Sequence, residues 1–277
     1  MGNNADTYAI FGNPLAHSLS PLMHNAAFAE TGIRARYILR QVGSPGEAAR
    51  EIRESGMKGA SITIPFKTSI MGFLDEISED AGRIGAVNTV VNKSGALLGA
   101  NTDWSGFIMD LEDAGLAIKG KQIAVAGAGG AARAVVFGLV RAGASPVIFN
   151  RDSARGERLA RDFGCDFLPL GEIGKAGADM LVNTTPVGMH PLVDETILSR
   201  ADLGGFEWVV DLIYNPLRTR LLREAELEGC SVRSGLGMLV RQGAEQFRLW
   251  TGKEPPLALM RKVVEDALAA GDNGKSR

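Results

Sequence analysis

Six residues, Gly127-Ala128-Gly129-Gly130-Ala131-Ala132, fit the pattern G-x-G-x-x-A. They follow an apolar strand-like run and open a helical one, which is the context a dinucleotide-binding turn requires. Gly127 permits the tight turn, Gly129 lets main chain approach a pyrophosphate, and Ala132 lets the helix sit close to the sheet. Free N–H groups and the helix dipole then attract phosphate. A glycine-rich turn without a ligand is the plainer alternative. Further on, Asn150-Arg151-Asp152-Ser153-Ala154-Arg155 closes the next strand. Arg151 and Arg155 are placed to bracket a ribose 2′-phosphate through paired guanidinium donors. Asp152 would repel that phosphate if it pointed inward, and a solvated helix start would explain the same residues. NADP is the favoured cofactor and NAD the alternative.

A second set of polar residues lies in the first hundred. Ser18 and Ser20, in His17-Ser18-Leu19-Ser20-Pro21, are spaced to point the same way on extended backbone. Two hydroxyls beside a helix N-terminus suit a carboxylate, although Ser20 also reads as a simple N-cap. Thr63-Ile64-Pro65-Phe66-Lys67 ends a strand and sets a lysine at its mouth, where an ordinary surface lysine is the plainer reading. Asn88 is a polar side chain inside an apolar strand. Asp103 is a candidate helix N-cap or a ligand group.

Positioning these residues takes an alternation of short strands and helices. Strands are expected at Tyr8–Phe11, Tyr37–Gln41, Ala60–Ile64, Ala86–Asn92 and Ala96–Ala100, the last two joined by the hairpin turn Lys93-Ser94-Gly95. A helix is expected over Pro21–Glu30, with Gly32 as its stop, and another over Trp104–Ala114, with Gly115 as its stop. Then come strand Gln122–Ala126, a helix from about Ala131 to Arg141 and strand Val147–Asn150, one strand–helix–strand unit. Strands Asp179–Asn183 and Trp208–Ile213 continue the pattern, and helices Leu236–Trp250 and Leu257–Ala269 end it. Short apolar strands with intervening helices imply a buried parallel sheet. The fold class is α/β in two domains: an N-terminal α/β substrate domain over residues 1–103, completed by 238–277, and a Rossmann-like dinucleotide-binding domain over 104–237. The C-terminal helices are expected to pack back on the first domain. Only the tail from Gly271 to Arg277 reads as frayed.

Composition removes other classes. The chain has 277 residues, 45% hydrophobic and 22% charged, so a sizeable core is expected. A formal net charge of −2 gives no overall basic field for nucleic acid or an anionic membrane. Cys165 and Cys230 make no disulfide scaffold and have no metal-ligand spacing. His17, His24 and His190 have no paired spacing with other strong ligands, so no metal is expected. The first residues lack a basic and an apolar leader, and no apolar run reaches membrane-spanning length. A cytoplasmic protein is expected.

The order of these segments resembles the shikimate dehydrogenase family from about Tyr8 to the final helix. Gly188-Met189, the run Asp211-Leu212-Ile213-Tyr214-Asn215, and Gly235-Leu236-Gly237-Met238-Leu239-Val240 leading to Gln242 add to the match. The resemblance implies NADP-dependent interconversion of 3-dehydroshikimate and shikimate, by a monomer or homodimer. It carries shikimate contacts onto Ser18, Ser20, Thr63, Lys67, Asn88, Asp103, Tyr214 and Gln242. It carries cofactor contacts onto Gly127, Ala128, Gly129, Gly130 and Ala131, onto Asn150 to Arg155, and onto Leu212 and Gly235. Glu79 matches a position sometimes near the cofactor, and by itself reads as a solvated helix acid. The family commonly has Asn where this chain has Ser61 and Thr where it has Asp152. The paired serines favour shikimate over quinate.

In that reading Lys67 is the acid in reduction and the base in oxidation, and Asp103 orients it and accepts from ring hydroxyls. Ser18, Ser20 and Tyr214 hold the carboxylate away from the reacting carbon. A quinate/shikimate dehydrogenase using NAD is the enzymatic alternative, with Asp152 as its support. A non-catalytic ligand-binding sensor on the same fold is the alternative of another class, and the presence of both Lys67 and Asp103 argues against it.

Overall fold

The computed structural model describes residues 5–16 and 18–273. The readings made of the N-terminal residues before these, of His17 and of the tail beyond them lie outside the described residues. The chain divides into two compact units. One takes the residues up to Gly106 and those from Val240 on; the other is Phe107–Leu239. Among the described residues no helix is long and apolar enough to cross a membrane.

The first unit is built on a six-stranded sheet. Its strands are β1 (Asp6–Gly12), β2 (Ala35–Gln41), β3 (Gly59–Ile62), β4 (Glu76–Ile77), β5 (Thr89–Lys93) and β6 (Ala96–Ala100). Their order is β2-β1-β3-β5-β6-β4. The sheet is mixed: β1 pairs in parallel with β2 and β3, whereas β5 runs antiparallel to β3 and β6. The hairpin expected at Lys93-Ser94-Gly95 is the antiparallel β5–β6 pair. Its tight turn follows Lys93, where Ser94 has φ 55° and Gly95 φ 101°, as a short hairpin demands. Helices α1 (Ser20–Glu30), α2 (Pro45–Glu54) and α3 (Glu79–Ile84) join the strands, and α4 (Asp103–Asp113) follows β6. Ala9, Phe11, Ile52, Ile62, Ile70 and Val90 form the core on one face. The long C-terminal helices α8 (Leu236–Thr251) and α9 (Leu257–Asn273) end the chain, and α9 packs on α1 as expected.

The second unit is a doubly wound sheet. Strands β7 (Gln122–Ala126), β8 (Ser145–Asn150), β9 (Asp166–Pro169), β10 (Met180–Asn183), β11 (Trp208–Asp211) and β12 (Ser231–Ser234) are all parallel, in the order β12-β11-β10-β7-β8-β9. Period-two alternation buries both faces. Ile123 and Val125 pack with Val135, Leu139 and Leu159 from α5 (Gly130–Arg141) and α6 (Ser153–Phe163). Ala124 and Ala126 pack with Leu181, Val209 and Leu222, the last from α7 (Arg220–Leu227). The strand order reverses between β7 and β10, so the glycine turn after β7 stands at the switch point, where doubly wound sheets hold ligands.

Several expected boundaries shift. The strand expected over Ala86–Asn92 begins at Thr89, because Val87 gives its N–H to the Lys67 carbonyl at 2.7 Å instead of to a strand. β3 stops at Ile62, since the Thr63 carbonyl turns to accept from the Phe66 N–H at 2.9 Å. Ser20 is the first residue of α1 and not its cap; Leu19 holds the cap position. Leu19 has φ −92° and ψ −2°, so Ser18 and Ser20 do not alternate along extended backbone. The Ser20 N–H points to Ser18 Oγ at 3.4 Å instead. Asp103 likewise is the first residue of α4, and both its carboxylate oxygens are engaged elsewhere.

Trp250 ties α8 to the sheet by donating its indole N–H to the Val90 carbonyl at 3.0 Å, a bond that passes over Gly59. A Cβ at Gly59 would strike the indole and lie 2.9 Å from that carbonyl. Gly59→Ala should therefore destabilise the protein by about 1–3 kcal/mol and change Trp250 emission. An unaltered urea midpoint would show that the indole moves aside freely.

Candidate active site

In the first unit the candidate chemistry centres on Lys67 and Asp103. Lys67 Nζ donates to Asp103 Oδ2 at 2.7 Å, with the Asp103 side chain 5% exposed and that of Lys67 16%. The Lys67 loop is held from behind by the bond from Val87 N–H. Asn88 is buried and gives Nδ2–H to Asp103 Oδ1 at 2.8 Å, with Thr102 Oγ1 at 3.0 Å and Gln242 Oε1 at 3.3 Å beside it. Its Oδ1 accepts from the Thr102 N–H at 2.8 Å and from Thr89 Oγ1 at 2.7 Å. Asn101 Oδ1 takes the Asp103 N–H at 3.0 Å, filling the capping role expected of Asp103 itself. Gln242 can approach because Gly106 of α4 has no side chain: a Cβ there would lie 2.6 Å from the Gln242 nitrogen.

Four of the expected substrate residues, Lys67, Asn88, Asp103 and Gln242, are thus joined by direct hydrogen bonds. Ser18 and the buried Ser20 stand together at the start of α1, and Thr63, half-buried, gives its N–H to the Phe11 carbonyl at 2.9 Å. Tyr214 belongs to the second unit, in the loop after β11. His24 is wholly buried, stacked 4.5 Å from the Tyr37 ring, and burial pushes its pKa down to about 3, so it packs as a neutral ring. Glu79 is an exposed acid in the first turn of α3.

The second unit presents main chain. Gly127 has φ +115°, and a Cβ there would strike Thr184, whose hydroxyl holds the Ala126 carbonyl at 2.7 Å. Only glycine fits that turn. At Gly129 the opposite holds: an added Cβ would meet nothing within 4 Å, so the space above the N-terminus of α5 is open. Leading N–H groups facing open space fit a pyrophosphate. Leu212 and Gly235 meet directly, since a Cβ on Gly235 would overlap the Leu212 carbonyl. Asp152 caps α6: its Oδ1 accepts the Arg155 N–H at 3.1 Å and its Oδ2 lies 3.4 Å from Arg155 Nε. Asn150 Nδ2 bonds the Asp152 carbonyl at 2.8 Å, and Arg151 and Ser153 are exposed.

Several residues escaped the sequence reading. Gln246 is one helical turn beyond Gln242 on α8, so a second polar residue on that face was the available signal. Tyr37 and Thr89 looked like strand formers. Asp211 is buried and accepts from Asn183 Nδ2 at 3.0 Å, Thr219 Oγ1 at 2.7 Å and the Ile213 N–H at 3.1 Å. It braces the loop that carries Leu212 and Tyr214.

Comparison with known proteins agrees with this geometry. Residues 10–90 match the family model described as shikimate dehydrogenase substrate binding domain, and residues 235–265 match shikimate 5'-dehydrogenase C-terminal domain. The chain is 45% identical to a shikimate dehydrogenase (NADP(+)) of Moorella thermoacetica, over 96% of this chain and 95% of that one. The chain belongs to the shikimate dehydrogenase family. It is 46% identical to the shikimate dehydrogenase (NADP(+)) of Methanosarcina mazei, over 95% of this chain and 99% of that one. It also superposes with TM-score 0.86 and 40% identity on the shikimate 5-dehydrogenase of Thermus thermophilus in complex with NADP(H) and shikimate, covering 95% of this chain and all of that one.

Burial raises the Asp211 carboxyl to about 7, against the pull of its three donors. A carboxyl whose pKa is higher folded than unfolded adds stability that is full below its unfolded value and lost as pH rises through the folded value. Between about pH 4.5 and pH 7.5 the wild type should therefore lose stability relative to Asp211→Asn, which has no proton to lose. Urea midpoints at the two pH values test this, and a constant difference between the proteins would refute it.

Proposed function

We propose that this chain catalyses the reversible NADPH-dependent reduction of 3-dehydroshikimate to shikimate. The observation that carries the reading is a lysine ion-paired to a buried aspartate, Lys67–Asp103, in a chain of this family. We assign the substrate to the first unit and the nucleotide to the second. Two free thiols, Cys165 and Cys230, fit a reducing compartment such as the cytoplasm. The reading takes a monomer or a homodimer as the working form.

NADPH, when bound, supplies the hydride for the carbonyl carbon. Lys67 Nζ gives a proton to the carbonyl oxygen in reduction and takes it back from the hydroxyl in oxidation. Asp103 holds the ammonium in place through their ion pair at 2.7 Å. Asn88 and Gln242 offer an amide N–H and an amide oxygen to ring hydroxyls. Ser18 and Ser20 take the substrate carboxylate at the far end of the ring, so that both ends are fixed. Main-chain N–H groups of Gly129, Gly130 and Ala131 receive the pyrophosphate.

Cofactor choice rests on the start of α6. Asp152 spends its charge on the helix cap and on Arg155, which supports NADP by turning the acid toward its own helix. Arg151 is then the cation left for a 2′-phosphate, and NAD use is the second reading that Asp152 keeps in view.

The deciding experiment is nicotinamide absorbance with shikimate or quinate, each with NADP or NAD. Turnover confined to shikimate with NADP supports the proposal; turnover with quinate or NAD supports a quinate/shikimate enzyme, and none from folded, nucleotide-binding protein supports a sensor. Lys67→Ala should lower kcat by about 10²–10⁴ with little change in KM, and an unchanged kcat would remove Lys67 from the chemistry. Arg151→Ala should weaken NADP far more than NAD, whereas equal losses would give Arg151 a purely structural part.

A further inference from the structure

One ionised group sets the direction of a long buried hydrogen-bond chain in the first unit. An ionised carboxylate only accepts, so the Asn88 atom facing Asp103 must be its NH₂. Asn88 Oδ1 therefore faces Thr89, and the Thr89 hydroxyl must donate to it at 2.7 Å. The Thr102 N–H on the same Oδ1 fixes this orientation independently. With its proton used, Thr89 accepts at its oxygen, from Gln246 Nε2 at 3.1 Å. Gln246 is fixed a second time by the Asn88 carbonyl, which takes the same NH₂ at 3.1 Å. Gln246 Oε1 must then face Ser61, which donates to it at 2.7 Å. Ser61 in turn accepts from the Tyr37 hydroxyl at 2.6 Å.

Every member of the chain is buried: Tyr37 is 2% exposed, Ser61 5%, Gln246 2%, Thr89 0% and Asn88 2%. Water cannot substitute for a missing partner, and successive donors polarise one another in a low dielectric. Burial keeps the Tyr37 phenol protonated, so the first donor in the chain is permanent.

We infer that Tyr37, Ser61 and Gln246 are positioning residues for the Lys67–Asp103 pair, acting through a one-way relay Tyr37→Ser61→Gln246→Thr89→Asn88→Asp103. The inference rests on the proposed role of Lys67 as proton donor. None of the three touches the reacting atoms; together with the Thr102 N–H they hold Asn88 in the rotamer that donates to Asp103, and so fix where Asp103 holds the ammonium. Ser61 stands where the family commonly has Asn. The relay gives that serine a definite part: it is the smallest side chain that accepts from Tyr37 and donates to Gln246 at once.

The test uses Tyr37→Phe, Ser61→Ala and their double variant. Each single variant should lower kcat by about 10-fold while leaving the KM for NADP unchanged. The double should be no worse than the more severe single, because both break one chain. A second readout needs no turnover: acetic anhydride labelling of the ligand-free protein, followed by mass spectrometry. Lys67 should label several-fold faster in the variants, with Lys262, an exposed lysine paired to Asp266, as the unchanged control. Unaltered Lys67 labelling overturns the inference, whatever happens to kcat, because a merely structural loss would not free the ammonium. Losses that multiply in the double variant overturn it too. If the wild type turns over no shikimate, the proposed function fails, and labelling still decides the relay. Should Ser61→Ala not fold, Tyr37→Phe retains the ring that packs on His24 and Trp250 and carries the test alone.

Discussion

The Asp103 side chain is 5% exposed, and a charge so far from water persists only if its oxygens are met by donors. Much of the first unit follows from that demand. Lys67 supplies one partner, and its loop is pinned by Val87, which leaves the strand pattern to do so. Asn88 supplies the other, and Asn101 takes over the capping that Asp103 forgoes. Gly106 lacks a side chain so that Gln242 can close on the same cluster. The ends of β3 and β5 and the start of α4 thus sit where the carboxylate needs them, one to three residues from where local pattern alone would put them.

The second unit solves a different problem with main chain. Its turns depend on positions where a side chain is absent. Gly127 takes a backbone conformation forbidding to other residues, Gly129 leaves the helix N-terminus open, and Gly235 lets the Leu212 carbonyl pass. Where a carboxyl is buried, at Asp211, donors are again required: three converge on it. Here they serve to hold a loop in shape. Asp103 differs from Asp211 in having a cation, Lys67, beside it.

The Gln122–Ala126 strand, the glycine turn and the following helix were legible in the sequence because each rests on local rules: apolar periodicity, the steric freedom of glycine and the spacing of the helix. The same holds for the hairpin at Ser94-Gly95 and for the fold class. Lys67, Asp103 and Asn88 were legible as candidates through their segments' resemblance to a family, since a lone lysine or asparagine carries no local signal. Ser20 and Asp103 were misread as caps because their residue types fit a cap as well as a binding group, and nothing within a few residues separates the two. The antiparallel pairing of β5 with β3 and the register at Thr89 depend on segments tens of residues apart.

What the sequence determined by itself is therefore the alternation of elements, the glycine turn after β7 and the inventory of polar groups. What tertiary structure decided is which of those groups meet. Gln246 reaches Asn88 and Ser61 across more than 150 positions of chain, and Tyr37 of β2 reaches Ser61 of β3 past the intervening β1. No local propensity encodes such contacts. They arise because a buried donor or acceptor without a partner is costly, and that cost is settled only when distant elements pack together.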